Sequence, residues 1–269
     1  MDRDTLKDIM TSEGILPQSK FGQNFLCDEN IIQNIVNLCE LKREDMVIEI
    51  GPGLGSLSFP LSLMSDHLAC VEIDKGLADR LKENISNATI FHQDFLKFER
   101  PQNINIDVVV SNIPYYIMTD IMKKLFGEYS DARKMVFMVE DEAIARIDCG
   151  PNTKQYGPLA ILSSIYGEYK YEFKVPYTAF VPQPRTTSAV ISFTRKDSAD
   201  ILSEDFVKFL NACFSMRRKL LKKNISGLSS TDSIDEAFHT IEISDNARAE
   251  ELTPEQFVQL YKTLRLNEK

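Results

Sequence analysis

The sequence predicts a doubly wound α/β domain followed by a small all-helical domain. Seven short β-rich runs occur between residues 46 and 194, and helix-length amphipathic stretches alternate with the early ones. The early runs are continuously apolar, which is typical of parallel strands buried on both faces. After residue 195 helical periodicity replaces the strand pattern. Together these observations favour a mostly parallel sheet covered by helices, with a helical C-terminal part.

The predicted strands are MVIEI (46 to 50), HLACVEI (67 to 73), ATIFHQD (88 to 94), IDVVVSN (106 to 112), KMVFMVE (134 to 140), YKYEFKV (169 to 175) and TSAVISFT (187 to 194). The last two alternate and lie close together, which favours an antiparallel pair at one edge. A helix is predicted from about Asp28, and Ser203 and Thr253 are the predicted N-caps of C-terminal helices. We therefore expect two domains, 1–198 and 199–269.

Composition is that of an ordinary globular protein. Of 269 residues, 43% are hydrophobic and 26% are charged. No apolar stretch approaches the ~20 residues that span a bilayer, and the first residues are charged, so we expect a soluble cytoplasmic protein and no membrane partner. Five scattered cysteines and three histidines share no metal-ligand spacing, so no metal site is predicted.

The charge distribution indicates one region that could bind phosphate. Net charge is −9, which argues against a nucleic-acid binder, but residues 206–231 contain no Asp or Glu. This stretch carries +6, so the rest of the chain carries −15 (−9 minus +6). A focused basic patch can bind phosphate locally, and a solvated helix face explains the run about equally well. The cations are Lys208, Arg217, Arg218, Lys219, Lys222 and Lys223.

A glycine-rich turn follows the first predicted strand, in VIEIGPGLGSLS. Gly51 and Gly53 lie between a strand and a helix, where backbone can approach a ligand closely. Glu72 ends the next strand 21 positions after Gly51, and a carboxylate there can accept both hydroxyl protons of a ribose. The pattern predicts a nucleoside-containing cofactor.

The spacing of the glycines indicates which cofactor. A dinucleotide fingerprint is G-x-G-x-x-G, whereas the third glycine here, Gly55, comes one place early. Glu49 precedes the loop, and Asp94 ends the third strand where it could meet an adenine amine. In this order the residues resemble the S-adenosylmethionine seat of class I methyltransferases.

The fourth predicted strand ends in SNIPYY, residues 111 to 116. Open α/β folds bind ligands at this edge of the sheet. The side-chain oxygen of Asn112 and the carbonyl of Ile113, which Pro114 holds extended, can accept the two protons of an adenine amine. Tyr115 can stack on the base, which is worth ~1 to 3 kcal/mol. An isolated N-x-P-Y would be interpreted as a capped turn; beside a cofactor loop we predict a catalytic site.

These segments together resemble the ribosomal RNA adenine dimethyltransferases, the KsgA/RsmA family, over nearly the whole chain. The resemblance rests on QNFL (23 to 26), EIGPGLGSLS, VEID, QDFL, NIPYYI, FVPQPRTTSAV (180 to 190) and FSMRRKLLKKNI. It implies a class I methyltransferase fold: a Rossmann-like, mostly parallel seven-stranded sheet with a small helical C-terminal domain that binds RNA.

The resemblance also implies an activity and its residues. It implies transfer of two methyl groups from S-adenosylmethionine to each of two adjacent adenines near the 3′ end of small-subunit (16S) rRNA, within an immature ribosomal particle, by a monomer. Tyr115 and Phe180 would sandwich the target adenine. The implied cofactor contacts are Asn24, Leu26, Gly51, Gly53, Glu72, Asp94 and Asn112, and the implied RNA contacts in the basic segment are Arg217, Arg218, Lys219, Lys222 and Lys223.

Three other functions remain open at this point. Ile113 stands where KsgA members more often have leucine, and isoleucine there is common in the Erm group, which methylates a large-subunit adenine. A non-catalytic RNA-binding or assembly relative would tolerate loss of the glycine loop or of N-[IL]-P-Y, and neither is lost. A nicotinamide dehydrogenase is disfavoured by the glycine spacing.

Overall fold

The computed structural model describes residues 2–101 and 104–264, which form two compact units. The first unit is built from the chain up to Ile121, Asp131–Ala143 and Tyr169–Arg195. The second takes in Met122–Ser130, Ile144–Glu168 and the chain from Lys196 onward. The second unit thus includes two segments that precede the boundary predicted near residue 198, and that boundary stays a prediction.

Each of the seven predicted runs contains a strand. The strands are β1 (Phe25–Leu26), β2 (Met46–Ile50), β3 (His67–Glu72), β4 (Ala88–His92), β5 (Val108–Asn112), β6 (Lys134–Glu140), β7 (Gly167–Val175), β8 (Phe180–Val181) and β9 (Ser188–Arg195). Seven of them form one sheet in the order β4-β3-β2-β5-β6-β9-β7. The two remaining strands, β1 and β8, pair antiparallel as a separate ladder.

The sheet is doubly wound about β2. β3 lies on one side of β2 and β5 on the other, and both pair parallel to it. The strand order therefore reverses between β2 and β5, and their carboxyl ends flank the crevice where open α/β sheets bind ligands. Val108, Val109 and Val110 in β5 have no exposed surface, as expected of a strand covered on both faces.

The last strand of the sheet is more buried than its sequence pattern predicts. β9 pairs antiparallel with β6, and β7 lies beyond it at the edge. The predicted antiparallel addition is confirmed for β9. Its first six residues are all buried, because β9 lies between β6 and β7.

The helices are α1 (Arg3–Ser12), α2 (Glu29–Leu38), α3 (Ser58–Met64), α4 (Lys75–Asn84), α5 (Met118–Glu128), α6 (Pro158–Tyr166), α7 (Glu204–Cys213), α8 (Leu221–Ile225), α9 (Thr231–Thr240) and α10 (Pro254–Thr263). α2 begins where predicted, because Asp28 Oδ1 accepts hydrogen bonds from the Asn30 and Ile31 amides. α1 was not predicted from the sequence. Among the described residues, no helix has both the length and the apolar character needed to cross a bilayer.

Helices make up most of the second unit. The predicted N-caps are confirmed: Ser203 accepts from the Phe206 amide and Thr253 from the Gln256 amide. The helix after Ser203 is shorter than its periodicity suggests, since α7 ends at Cys213 and α8 begins only at Leu221. Much of the basic segment therefore lies in the connection between α7 and α8, not on one helix face.

Candidate active site

A cleft in the first unit opens at the carboxyl ends of β2 and β5. Four stretches of chain line it: the end of β2 with the glycine loop, the end of β3 at Glu72 and Ile73, the Asn112 loop after β5, and residues 21–26. The last of these belong to a covering segment, which we define as residues 17–26. The cleft thus lies at the reversal of strand order, where the topology predicts a ligand.

The glycine loop leaves the cleft open and admits a neighbouring ring. Gly51 and Gly53 have φ of +65° and +59°, a region that favours glycine. A Cβ on Gly51 would meet no protein atom within 4 Å, so a side chain there would take up cleft space. A Cβ on Gly53 would lie 3.1 Å from the Phe25 ring of the covering segment. The loop therefore needs glycine for its conformation and for this close packing.

Glu72 is held at the edge of the cleft by backbone amides. Its Oε2 accepts from the Gly53 amide and its Oε1 from the Asp74 amide, both at 2.9 Å. Burial raises the pKa of this carboxyl, while the Asp74 and Gly53 amides oppose the shift. Each carboxylate oxygen can accept a second hydrogen bond. Glu72 is thus oriented to accept hydroxyl protons from a ligand in the cleft.

Glu49 lines the cleft from beneath and is almost completely buried. Ser58 Oγ donates to its Oε2 at 2.5 Å. Burial raises the pKa of Glu49 from 4.5 to about 7, with the nearby Glu72 charge adding to the shift. Between these two pH values the folded protein holds a proton that the unfolded chain has lost.

Glu49→Gln should therefore alter how stability depends on pH. The free energy of unfolding of the wild type should fall by about 3 kcal/mol through Glu49 as pH rises from about 4.5 through about 7, because the raised pKa favours the protonated folded state at low pH. The glutamine variant lacks this pH-dependent loss. Its free energy of unfolding should therefore increase relative to that of the wild type as pH rises from 5 to 8. Urea unfolding at both pH values measures the difference. The exposed Glu44→Gln serves as a control, and a parallel pH response of Glu49→Gln and wild type would contradict the assignment.

Asn112 is oriented by the covering segment. Its Nδ2 donates to the Asn24 carbonyl at 3.2 Å, so its Oδ1 is left as an acceptor. The Ile113 amide donates to the Met138 carbonyl of β6 at 3.0 Å. Pro114 itself has φ −60° and ψ 126°, as its ring requires; the extended conformation predicted for Ile113 stays a prediction. Asn112, Ile113 and Pro114 all line the cleft.

Tyr115 also lines the cleft, and β9 holds its hydroxyl. The Tyr115 hydroxyl lies 2.5 Å from Ser188 Oγ, and Ser188 is fully buried. Burial raises the pKa of Tyr115, so the phenol stays neutral. Ser188 is the last residue of the segment FVPQPRTTS. No role was predicted for it, because it reaches Tyr115 only through the pairing of β9 with β6.

The covering segment is fastened to the start of α4. Asp74 Oδ1 accepts the Gly76 and Leu77 amides that begin this helix. Asp74 Oδ2 accepts from the side-chain amides of Gln18 and Gln23. Further along the segment, Ser56 Oγ donates to the Leu26 carbonyl at 2.6 Å. Asn24 and Leu26 are thereby held at the cleft, and the cofactor contacts implied for them stay predictions.

The residues present fit S-adenosylmethionine. Glu72 supplies oriented carboxylate oxygens for ribose hydroxyls, and the space beside Gly51 admits a ligand at the backbone. Ile73 follows Glu72, lines the cleft and keeps 39% of its surface exposed, which suits an adenine ring. No role was predicted for Ile73, although its position just after Glu72 at a strand end was the available signal.

Two predicted residues do not line this cleft. Asp94 uses its Oδ1 to accept the Leu96 amide at 2.9 Å, and its adenine contact stays a prediction. Phe180 has no exposed surface and packs in the hydrophobic core beside Leu26. A fully buried ring offers no face to a base, so the stacking role implied for Phe180 lacks support from this geometry and stays a prediction.

Three cations of the basic segment (residues 206–231) have acidic partners in the second unit. Lys208 pairs with Asp205 at 3.0 Å and with Glu204 at 3.6 Å, and the other two are Arg217 and Lys222. Arg217 bonds to Glu250 through Nε, and its Nη1 and Nη2 donate to the Lys154 and Thr153 carbonyls at 2.7 and 2.8 Å. Lys222 pairs with Asp245 at 2.8 Å and with a second carboxylate, Asp235. Neither Arg217 nor Lys222 is free, so the prediction that they bind RNA lacks support from this geometry.

Three other cations of the segment point to solvent. Arg218, Lys219 and Lys223 are exposed. Among the described residues, none of the three forms an ion pair. These three are therefore the members of the predicted patch whose charge is available to an external phosphate.

Comparison with known proteins identifies the family. The model of the ribosomal RNA adenine dimethylase family matches residues 16–266. Ribosomal RNA small subunit methyltransferase A of Mycoplasmopsis synoviae is 38% identical over 91% of this chain and 95% of its own length. The protein of that name from Natranaerobius thermophilus is 34% identical over 93% and 92%, respectively. A dimethyladenosine transferase structure from Plasmodium falciparum superposes with a TM-score of 0.72 at 21% identity, covering 91% of this chain and 98% of that one, and so shares the class I methyltransferase fold. The predicted fold and family are thus confirmed, and the chain belongs to the ribosomal RNA adenine dimethylase family.

Proposed function

We propose that this protein transfers methyl groups from S-adenosylmethionine to the exocyclic amines of two adjacent adenines near the 3′ end of small-subunit rRNA. The names of its relatives support the small subunit as the substrate. One structural observation carries the chemistry. The Asn112 amide donates to the Asn24 carbonyl, which leaves the Asn112 side-chain oxygen as an acceptor in the cleft.

The cofactor supplies an activated methyl group, and the chain supplies position. An adenine amine is a poor nucleophile because its lone pair is delocalised into the ring. Acceptors at Asn112 Oδ1 and the Ile113 carbonyl would hold its two protons and favour a pyramidal nitrogen. Tyr115, fixed by Ser188, would keep the ring in place. Positioning of this kind can supply most of the rate, and no ionising side chain is required.

We assign the transfer reaction to residues 1–198 and RNA binding to the helical residues 199–269. Arg218, Lys219 and Lys223 are the cations we assign to RNA phosphates, since they are exposed and unpaired among the described residues. We further propose that the protein acts as a monomer in the cytoplasm on an immature ribosomal particle. The similarity of its relatives to this chain over 92% and 95% of their own length supports the same substrate particle.

The test is to incubate the protein with radiolabelled S-adenosylmethionine and separately purified unmethylated small and large ribosomal subunits. We expect label in the small-subunit RNA, at two adjacent adenines near the 3′ end. Label in the large subunit would instead indicate an Erm-type enzyme. Absence of label from both particles, with cofactor binding intact, would indicate a non-catalytic assembly factor.

A further inference from the structure

A second cleft adjoins the first within the same unit. Its volume is about 480 Å³, within the range of small-ligand sites. Gly22, Gln23, Asn24 and Tyr115 line both clefts. The outer wall of the second is the stretch that follows β8, lined by residues 182–186. A ligand that fills the first cleft beside Tyr115 can therefore continue into the second.

The two clefts differ in the groups they offer. Asn112, Ile113 and Pro114 line the first cleft and are not among the residues that line the second. The acceptors for the reacting amine thus belong to the first cleft alone. If the base that is methylated occupies the first cleft, the covalently attached neighbouring nucleotide is the part of the RNA that reaches the second.

The second cleft carries one cation and one anion that the proposed reaction does not use. Arg185 is exposed, and among the described residues it has no ion pair. Its planar guanidinium suits a phosphate. Glu140 ends β6, is half-buried and has no side-chain hydrogen bond among the described residues. Its carboxylate can only accept hydrogen bonds when ionised, as a base amino group requires.

Strand pairing places Glu140 beside the shared tyrosine. Glu140 pairs with Ser188 across the β6–β9 ladder, and Ser188 Oγ contacts the Tyr115 hydroxyl at 2.5 Å. The negative charge of Glu140 contributes to the raised pKa of Tyr115, which is consistent with this proximity. The Glu140 carboxylate is thus close to Tyr115, which lines both clefts.

We propose that the second cleft binds the nucleotide next to the target adenine, with Arg185 contacting its phosphate and Glu140 accepting a hydrogen bond from the amino group of its base. This inference rests on the proposed function, since it takes the methylated adenine to occupy the first cleft. In this proposal Arg185 contributes to the affinity for RNA, and Glu140 contributes to the selection of the base next to the target adenine.

The contact of Arg185 is tested by equilibrium binding of unmethylated small subunits over a series of salt concentrations. Arg185→Ala should weaken binding roughly 10-fold and reduce the salt slope by about one. Arg43→Ala is the matched control, because Arg43 is exposed and lies before the amino end of β2, whereas the clefts lie at the carboxyl ends of the strands; its ion pair with Asp66 is on the surface. If the two alanine variants bind alike, Arg185 does not contact the RNA and the proposal fails.

The contact of Glu140 is tested with small subunits that carry adenine or uracil beside the target adenine. The wild type should methylate the target roughly 5-fold faster next to adenine, and Glu140→Ala should lose this preference. Glu140→Gln should retain most of it, because its side-chain oxygen still accepts a hydrogen bond. Equal preference in wild type and Glu140→Ala would overturn the proposal. Failure of the proposed function would look different, since the wild type would then transfer no label to any small subunit.

Discussion

Asn112→Ala should reduce the rate of methyl transfer to unmethylated small subunits roughly 10²- to 10³-fold, a loss comparable to that of one preorganised hydrogen-bonding group in other active sites. The Asn112 side-chain oxygen is the acceptor that the Asn24 carbonyl orients toward the cleft. The dissociation constant for S-adenosylmethionine should change less than about 10-fold, because the lost bond to Asn24 is a single neutral hydrogen bond. Single-turnover transfer and calorimetric cofactor binding measure the two effects separately.

The control for this substitution is Asn37→Ala, since Asn37 is exposed on α2, outside the cleft, and its Oδ1 accepts a hydrogen bond from the Gln33 side chain. It should leave both measurements unchanged. Transfer by Asn112→Ala at a rate near wild type would remove Asn112 from the mechanism. A large parallel loss of cofactor binding would instead make Asn112 a cofactor ligand first and a catalytic residue second.

Reversing Arg218 and Lys219 to glutamate should weaken binding of the small subunit about 100-fold and lower its salt slope by about two, since two phosphate contacts would be lost. Both side chains are exposed, so the melting temperature should stay within about 2 °C of wild type. The matched control reverses Lys42 and Arg43, two adjacent exposed cations of the first unit. An unchanged salt slope for the Arg218 and Lys219 variant would exclude these residues from the RNA interface.

Arg217→Ala should lower the stability of the protein and leave its RNA binding almost unchanged. Arg217 joins Glu250 to the carbonyls of Thr153 and Lys154, so its loss should lower the free energy of unfolding by about 1 to 3 kcal/mol. The salt slope of particle binding should stay close to that of the wild type. Thermal unfolding and salt-dependent binding together separate a structural arginine from its RNA-binding neighbour, although the two are adjacent in sequence.

The basic segment shows why a charge pattern in sequence does not give a charge pattern in space. Residues 206–231 contain no acidic residue, yet Glu250 and Asp245 reach Arg217 and Lys222 from later parts of the chain. Counting charges within one segment of the sequence does not reveal acidic partners that folding brings from other segments. The helical periodicity of the same segment was also misleading, because the chain leaves the helix after Cys213.

The cofactor cleft was predictable because its signals are local. Strand, glycine turn and acidic strand end each follow from a few consecutive residues, and parallel pairing places them at one edge. Ser188 and Ile73 were missed for different reasons. Ser188 reaches Tyr115 only through the antiparallel pairing of β9 with β6, which no short motif encodes. Phe180 is completely buried, so the stacking role that the resemblance implies has no support from this geometry and stays a prediction.

The two-residue ladder between β1 and β8 joins the walls of both clefts. Leu26 pairs with Phe180, and Phe25 pairs with Val181, so residues that cover the first cleft are hydrogen-bonded to the stretch that leads into the wall of the second. Withdrawal of the covering segment must either break this ladder or carry residues 182–186 with it. Under the proposed function, the segment that covers the methyl-donor cleft and the stretch that we propose contacts the neighbouring nucleotide are therefore joined by the same short pair of strands.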